Sequence, residues 1–371
     1  MALLTACGGG GQAGAPAGGG KQPVPAGTVD FQGKTFAFAI ATAANPLIVS
    51  QGETFKQQAE KLGAKVTIYD NKGTAEAMLS NANLMVAAKP DVIVEYPSAA
   101  DATSRVSQTF KRSGIPCISV NVPVEGCPLF NFDQPYLAGL GAEAMAKQMA
   151  ARGWTGENTT VVIGQAAKYG PSVNIAVTSF YDKLSGLVPG MTHVPSRDIT
   201  PSTTTIGGEQ GLQVDLDFTA DIAYPAMTRA LQSIPANRHI VLYTTADDVT
   251  VAARRAIENA GRTRDAIVSG FGGNGDAVKA LRANDGWVTE QTGFYAHWGE
   301  FVLAMVAAVQ QGATLPELTS PPMVVLTKDN VDTYFTPGTT DLALMPELPA
   351  NSRYLTGTGV LQKYANVTGA K

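Results

Sequence analysis

Residues 91–122 read D-V-I-V-E-Y-P-S-A-A-D-A-T-S-R-V-S-Q-T-F-K-R-S-G-I-P-C-I-S-V-N-V. Asp91 to Tyr96 is a short apolar, β-rich run stopped by Pro97, and it predicts a strand. Ala99 to Arg112 carries helical spacing, and Pro116 to Val122 is a second strand-like run. Strand, helix and strand in one short stretch is the unit that brings a chain back parallel to itself.

The same unit extends in both directions. Upstream, Thr35 to Ile40 and Lys65 to Asp70 read as strands, with helices over Ser50–Leu62 and Thr74–Ala88. Downstream, a short strand over Leu129–Asp133 precedes a helix over Pro135–Ala151. The alternation then restarts: a strand at Thr160–Gln165, a helix at Ser172–Leu184 and a weak strand at Met191–Val194. Residues 195–220, rich in Thr, Gly and Asp, break the rhythm and read as a long loop or insertion. Helices follow at Ile222–Ser233, Asp248–Ala260, Ala277–Ala283 and Ala296–Gln311, with strands at His239–Thr245, Ala266–Phe271, Trp287–Thr292 and Met323–Thr327. The expected fold class is α/β, with two doubly wound parallel-sheet lobes joined by crossover strands. The expected division is residues 29–131 plus 294–330 for an N-terminal lobe and 132–293 for a C-terminal lobe. A C-terminal tail, 331–371, packs on the lobes. Ligands of open α/β sheets sit beyond the carboxyl ends of the strands, so a cleft between the lobes is the expected site.

Composition narrows the function. The 371 residues carry a net charge of −4 and 16% charged residues, which argues against a nucleic-acid partner. No apolar run reaches the roughly 18 residues of a membrane-spanning helix. At the N-terminus, Leu4-Thr5-Ala6-Cys7 resembles a bacterial lipobox, with Cys7 as the lipidated residue. Only Met1 to Ala6 precede it, which is short for a signal peptide; either the start is assigned late or the signal is truncated. Gly8 to Gly27 is rich in Gly, Ala and Pro, so residues 1–28 read as lipobox and flexible tether. Cys117 and Cys127 then remain as an even pair, either disulfide-bonded in an oxidising compartment or two separate thiols.

Residues 269–276, S-G-F-G-G-N-G-D, hold Gly270, Gly272 and Gly275 at the spacing G-x-G-x-x-G, with Glu290 twenty residues beyond Gly270. That spacing can cradle a dinucleotide phosphate, but here it falls late in the second half, whereas such a loop usually opens its domain. A ligand-facing loop is the preferred reading, with a tight turn as the plain alternative. His193, His239 and His297 are too dispersed for metal-ligand spacing, no nucleophile motif is present, and no cofactor is expected. Asp247-Asp248 offers paired carboxylates, although Asp248 is better placed to cap the following helix.

Several stretches together resemble the type I periplasmic sugar-binding proteins of the ribose-binding group. They are A-T-A-A-N-P at 41–46, N-F-D-Q-P-Y-L-A-G at 131–139, T-A-D-D-V-T-V-A-A-R-R-A-I-E-N-A-G at 245–261, V-S-G-F-G-G-N-G-D-A-V-K-A-L at 268–281 and V-T-E-Q-T at 288–292. The resemblance spans about residues 33 to 328. It implies a receptor, not an enzyme, that closes on a sugar or similar small polar ligand and hands it to an ABC permease. It further implies a monomer, extracytoplasmic and membrane-anchored through Cys7, with hinges near 129–135, 289–294 and 317–323. A ligand-sensing receptor for membrane signalling uses the same cleft and is the first alternative. A nucleotide-cofactor oxidoreductase is the second. Carried over residue by residue, the resemblance assigns ligand contacts to Asn45, Asn121, Phe218, Phe271 and Gln291. It also shows departures. Ala176 stands where the family often has arginine, Ala246 where it has an amide, and Gly272 where it has aspartate, while Leu47 and Ile48 replace aromatics. Tyr169, Asn174, Asp247 and Asn274 are the nearby residues expected to supply substitute contacts.

Overall fold

The computed structural model describes residues 29–364; Cys7 and the tether lie outside the described residues. In chain order the first part contains β1 (Thr35–Ile40), α1 (Pro46–Lys61), β2 (Lys65–Asp70), α2 (Ala75–Ala88), β3 (Val92–Glu95), α3 (Thr103–Ser113), β4 (Cys117–Val120) and β5 (Leu129–Phe130). The second part contains α4 (Gln134–Ala151), β6 (Thr159–Gln165), α5 (Pro171–Ser185), β7 (Thr205–Ile206), β8 (Gly211–Asp215), α6 (Ala220–Leu231), β9 (His239–Tyr243), α7 (Asp247–Asn259), β10 (Ala266–Phe271), α8 (Gly275–Ala283) and β11 (Trp287–Thr292). The chain ends with α9 (Trp298–Gln310), β12 (Leu318–Thr319), β13 (Val324–Leu326), α10 (Val331–Tyr334) and a 3₁₀ segment at Ala350–Thr358.

The strands form two sheets. The first has the order β12-β5-β4-β3-β1-β2 and is parallel throughout. The second has the order β13-β11-β10-β9-β6-β8-β7, parallel except for the antiparallel strands β13 and β7 at its edges. Strands covered on both faces should be continuously apolar. β6 is buried at every position, and so is β3, even at its polar residue Glu95. In β1 the two faces are distinct. Phe36, Phe38 and Ile40 join Phe55 of α1, while Ala37 and Ala39 join Met78 and Met85 of α2. Phe38 meets Phe55 edge-on, 5.1 Å between ring centres.

Three passages link the sheets: 131–133 after β5, 293–297 after β11 and 320–323 between β12 and β13. Residues 289–292, part of an expected hinge, are instead inside β11. β13 also departs from the expected division, because Val324–Leu326 pairs with β11 of the second sheet. The segment after β13 ties both lobes. Arg282 of α8 pairs with Asp332 at 2.7 Å, and Ser352 Oγ accepts from the Ser320 amide at 2.9 Å. Lys363 and Tyr364 close over the buried Glu300 of α9.

The expected weak strand at Met191–Val194 is not formed, and the supposed insertion holds β7 and β8, the latter paired with β6. The reason lies in the inward side chains of β8. Gly211 has no side chain because a Cβ there would sit 2.5 Å from the Tyr181 ring. Gln213 points inward and uses its amide on the Thr200 and Thr203 carbonyls. Leu212 and Val214 alternate as strand residues do but are only half-buried, while the fully buried positions of β8 are held by glycine and glutamine, so the short run does not stand out from the Thr-, Gly- and Asp-rich segment around it.

Cys117 and Cys127 are disulfide-bonded, S–S 1.98 Å, across a separation of 10 residues. Closing a loop of that length removes unfolded-state entropy worth about 2.5 kcal/mol. The double variant Cys117→Ala/Cys127→Ala should therefore unfold at lower denaturant, by about 2–3 kcal/mol. Reductant should destabilise the parent to the same level and leave the variant unmoved.

Candidate functional site

The carboxyl ends of both sheets face one cleft. From the first lobe, Asn45, Leu47, Ile48, Gln51, Tyr96 and Asn121 line it. From the second lobe, Gln134, Phe218, Thr245, Asp247, Phe271 and Asn274 form the opposite wall, with Val173, Ala176, Ala246 and Asp248 among them. Tyr295, in the passage between β11 and α9, closes the back and stacks on Trp298 at 4.4 Å. Val122 of the first lobe packs with Ala166, Tyr169 and Val173 of the second, so the lobes touch across the cleft mouth.

Helix starts account for several of these positions. Asn45 caps α1: its Oδ1 accepts from the amides of Leu47, at 2.9 Å, and Ile48. The helix therefore begins at Pro46, four residues before the expected start, with proline in the first turn where its missing N–H costs nothing. Asn274 caps α8 in the same way, accepting from Asp276 and Ala277. Both caps turn the amide oxygen toward backbone; Asn274 Nδ2 then reaches Asp248 Oδ1 at 3.4 Å. Asn121 sits in left-handed backbone, φ 63°, which asparagine tolerates. The buried Tyr96 hydroxyl lies beside it. Asp248 was expected to cap α7; the cap position is Ala246, which offers no side-chain bond, and both Asp247 and Asp248 lie in the first turn.

Six of the nine expected ligand residues line the cleft: Asn45, Asn121, Phe218, Asp247, Phe271 and Asn274. Three do not. Asn174 is turned onto its own loop, where Oδ1 accepts from the Ala166 amide and Nδ2 donates to the Ala166 and Gly170 carbonyls. Its hydrogen-bonding capacity is spent holding the β6–α5 turn. Gln291 is fully buried, donates to Ser269 Oγ at 2.8 Å and is pressed against Gly141 of α4. Tyr169 packs edge-on to Phe218 at 4.6 Å and belongs to the contact between the lobes. Sequence reading missed Gln51, Gln134, Tyr96, Thr245 and Tyr295. For two of them a signal was present. Gln51 precedes Phe55 and Ala59 at four-residue spacing, and Gln134 precedes Ala138 and Ala142, so each is a polar residue at the head of a buried helix face.

The glycine loop resolves into an internal carboxylate cradle. The Gly273 amide donates to Glu290 Oε1 and the Asn274 amide to Asp247 Oδ2, both at 2.7 Å. Gly272 needs to lack a side chain: its φ is 156°, and a Cβ would meet Asp247 Oδ2 at 2.5 Å. The amides that would hold a pyrophosphate are thus already held by buried protein carboxylates, and the dinucleotide reading is overturned. Glu290, the acid at the fingerprint spacing, lies beneath the loop and accepts from Trp287 Nε1 at 3.1 Å.

Asp247 and Glu290 are in contact and fully enclosed, so burial raises both carboxyls. Asp247 is pushed up to about 6. Glu290 is likewise raised, through burial and then the Asp247 charge, and the two carboxyls share one proton as a pair. Another buried acid, Glu95, lies beside Tyr96; burial pushes it up to about 8, only partly offset by the Asn71 amide donating at 2.8 Å.

A family model described as "Periplasmic binding protein domain" matches residues 36–314. The ribose import binding protein of Bacillus subtilis is 24% identical over 252 residues, 67% of this chain and 72% of that protein. Among solved structures, an ABC transporter solute-binding protein from Mycobacterium smegmatis with bound glycerol superposes with a TM-score of 0.69 at 19% identity, covering 84% of this chain and 99% of that one. A solute-binding protein from Bacillus halodurans with bound myo-inositol gives 0.66 at 16% identity, covering 83% and 99%.

The buried acids generate a pH prediction. Because the folded protein holds the Glu95 proton more tightly than the unfolded chain, this contribution to stability is complete below about pH 4.5 and is lost as pH rises through 8. Glu95→Gln should remove that slope and leave the variant more stable than the parent near pH 8 by on the order of 3 kcal/mol. Denaturant unfolding at several pH values reads it. Equal slopes in parent and variant would sink the assignment.

Proposed function

The chain belongs to the periplasmic binding protein domain family, and we propose that it is an extracytoplasmic solute receptor that binds a sugar or similar small polar molecule between closing lobes and delivers it to an ABC-importer permease. The observation that carries this reading is the cleft itself. Polar side chains from both lobes and the faces of Tyr96, Phe218, Phe271 and Tyr295 converge where the two sheets end. Hydroxyls need fixed donors and acceptors, and the C–H face of a polyol packs on aromatic rings, so this mixture fits a small polyhydroxylated solute. Three short passages joining the lobes are the arrangement for hinge closure around a ligand.

Binding and release suffice for that role, and no covalent step is required of the protein. The ligand of this receptor differs from a pentose held by an arginine and acids, since Ala176 and Gly272 stand at two of those positions. The reading also includes a lipid anchor at Cys7, with the glycine-rich segment after it as a spacer between membrane and receptor. The permease would meet a monomer in its closed form.

Calorimetry of the full chain against a panel of sugars, polyols and amino sugars, with X-ray scattering for closure, tests this. At least one member should bind and shift the scattering curve. Phe218→Ala should weaken that binding about tenfold through loss of an aromatic contact, while leaving the melting temperature within a few degrees. No binding by any member of the panel would overturn the reading.

A further inference from the structure

The cleft has a chemical polarity that a neutral sugar does not require. Among its lining side chains, the buried polar atoms without a hydrogen-bond partner are all oxygens: Gln51 Oε1, Gln134 Oε1 and Thr245 Oγ1, with Asp247 Oδ1 joining them apart from the proton its carboxyl shares with Glu290. Gln51, Gln134 and Asp247 are each more than nine-tenths buried. The orientation of the two glutamines is fixed from the other end. Gln51 Nε2 donates to the Tyr295 carbonyl at 3.1 Å. Gln134 Nε2 faces Asn131 Oδ1, which also accepts from the Phe132 amide and must therefore be oxygen. Each NH₂ group makes one contact with protein, and each amide oxygen is left without a protein partner. Gln51 comes from α1 and Gln134 from α4, so the two lobes present matching acceptors.

Charge points the same way. Asp247 and Asp248 are in the lining, and among the described residues no lysine or arginine lines the cleft. The Asp247–Glu290 pair shares one proton and keeps one negative charge. A hydroxyl both donates and accepts, whereas an ammonium has three donors and no acceptor. Aromatic faces such as Phe218 and Phe271 also attract a cation.

Building on the receptor reading, we propose that the solute is a polyol bearing a protonated amino group, an amino sugar or amino-polyol, with its ammonium directed to Asp247 and its N–H and O–H donors to Gln51 and Gln134. The ligand's cation replaces the arginine that this cleft lacks. Sugar phosphates and sugar acids are excluded, because they would bring a second negative charge beside the carboxyl pair.

Two matched pairs of probes test this by calorimetry on the full chain at about pH 7.5, where the pair retains its charge: D-glucosamine against D-glucose, and 1-amino-1-deoxy-D-glucitol against D-glucitol. In at least one pair the amine should bind about tenfold or more tighter than its hydroxyl counterpart, the worth of one charge-assisted contact. Asp247→Asn should bring the two members of that pair to within about threefold, less than half that contact's free energy. A measurement on the unmodified protein stands beside the variant, in case the variant folds poorly. On lowering the pH to about 5.5, below the raised Asp247 value, the amine should lose affinity and the hydroxyl counterpart should not. The groups around Asp247 that bear on this titration are Glu290 on β11, Asp248 on the same helix, Tyr243 on β9 and Tyr295 in the passage to α9, with Asp276 acting on Asp248. Hydroxyl probes binding as tightly as amines, or an amine preference that survives Asp247→Asn, would overturn this inference and leave the receptor reading standing. Binding by neither class would overturn both.

Discussion

Parallel neighbours cannot be joined by a tight turn; the chain must first be carried back, and here a helix does so everywhere except between β4 and β5, where the loop 121–128 suffices. In this protein that constraint acts twice, once per sheet, and it decides where everything else can go. The helices cover both faces of each sheet and consume the apolar residues. What remains open is the carboxyl end of each sheet, where strand-to-helix loops gather. The passages after β5 and β11 and between β12 and β13 bring those two open ends face to face. The cleft follows from the connectivity, and its wall is built from residues at or near helix starts: Asn45 and, one turn further in, Gln51 for α1, Gln134 for α4, Asp247 for α7 and Asn274 for α8.

Within that frame the loop after β10 is shaped by charge. Two backbone amides, of Gly273 and Asn274, point inward to the carboxyls of Glu290 and Asp247. Burying two acids together is costly unless they share a proton and collect donors, and this loop supplies the donors. The arrangement fixes Gly272 as glycine, removes the loop from phosphate binding and leaves a single negative charge at the cleft wall. A feature that reads as a nucleotide fingerprint in one dimension is thus an intramolecular anion cradle in three. The same logic applies to Glu95, buried beside Tyr96 with an asparagine as its donor.

Much of the architecture was legible because apolar periodicity and burial have the same cause. β10 and β11 end where their patterns end. Two strands of the parallel set were not expected, the two-residue β12 and β8; β8 carries Gly211 and Gln213 inward, and each is explained only by a neighbour elsewhere in the chain: Tyr181 for the glycine, the Thr200 and Thr203 carbonyls for the glutamine. The site was legible in part. Loop residues after strands were good candidates, yet Asn174 and Gln291 spend their polar groups on local backbone and on Ser269. Gln51 and Gln134 were hidden because a polar residue heading a buried helix face looks like a flaw in the pattern until its environment is known.

The sequence by itself determined the class of fold, the order of its elements outside 191–215 and 318–319, the two-lobed plan and the family to which the chain belongs, since all of these rest on periodicities and stretches local in the chain. It also marked Cys117 and Cys127 as a pair. Tertiary structure decided that the pair is bonded, that the glycine loop binds carboxylates of its own chain, that the segment after β13 straps both lobes, and which polar atoms of the cleft are left without partners. Those outcomes depend on groups far apart in sequence meeting in a medium where an unpaired charge or oxygen is expensive. No local pattern records which partner each one finds.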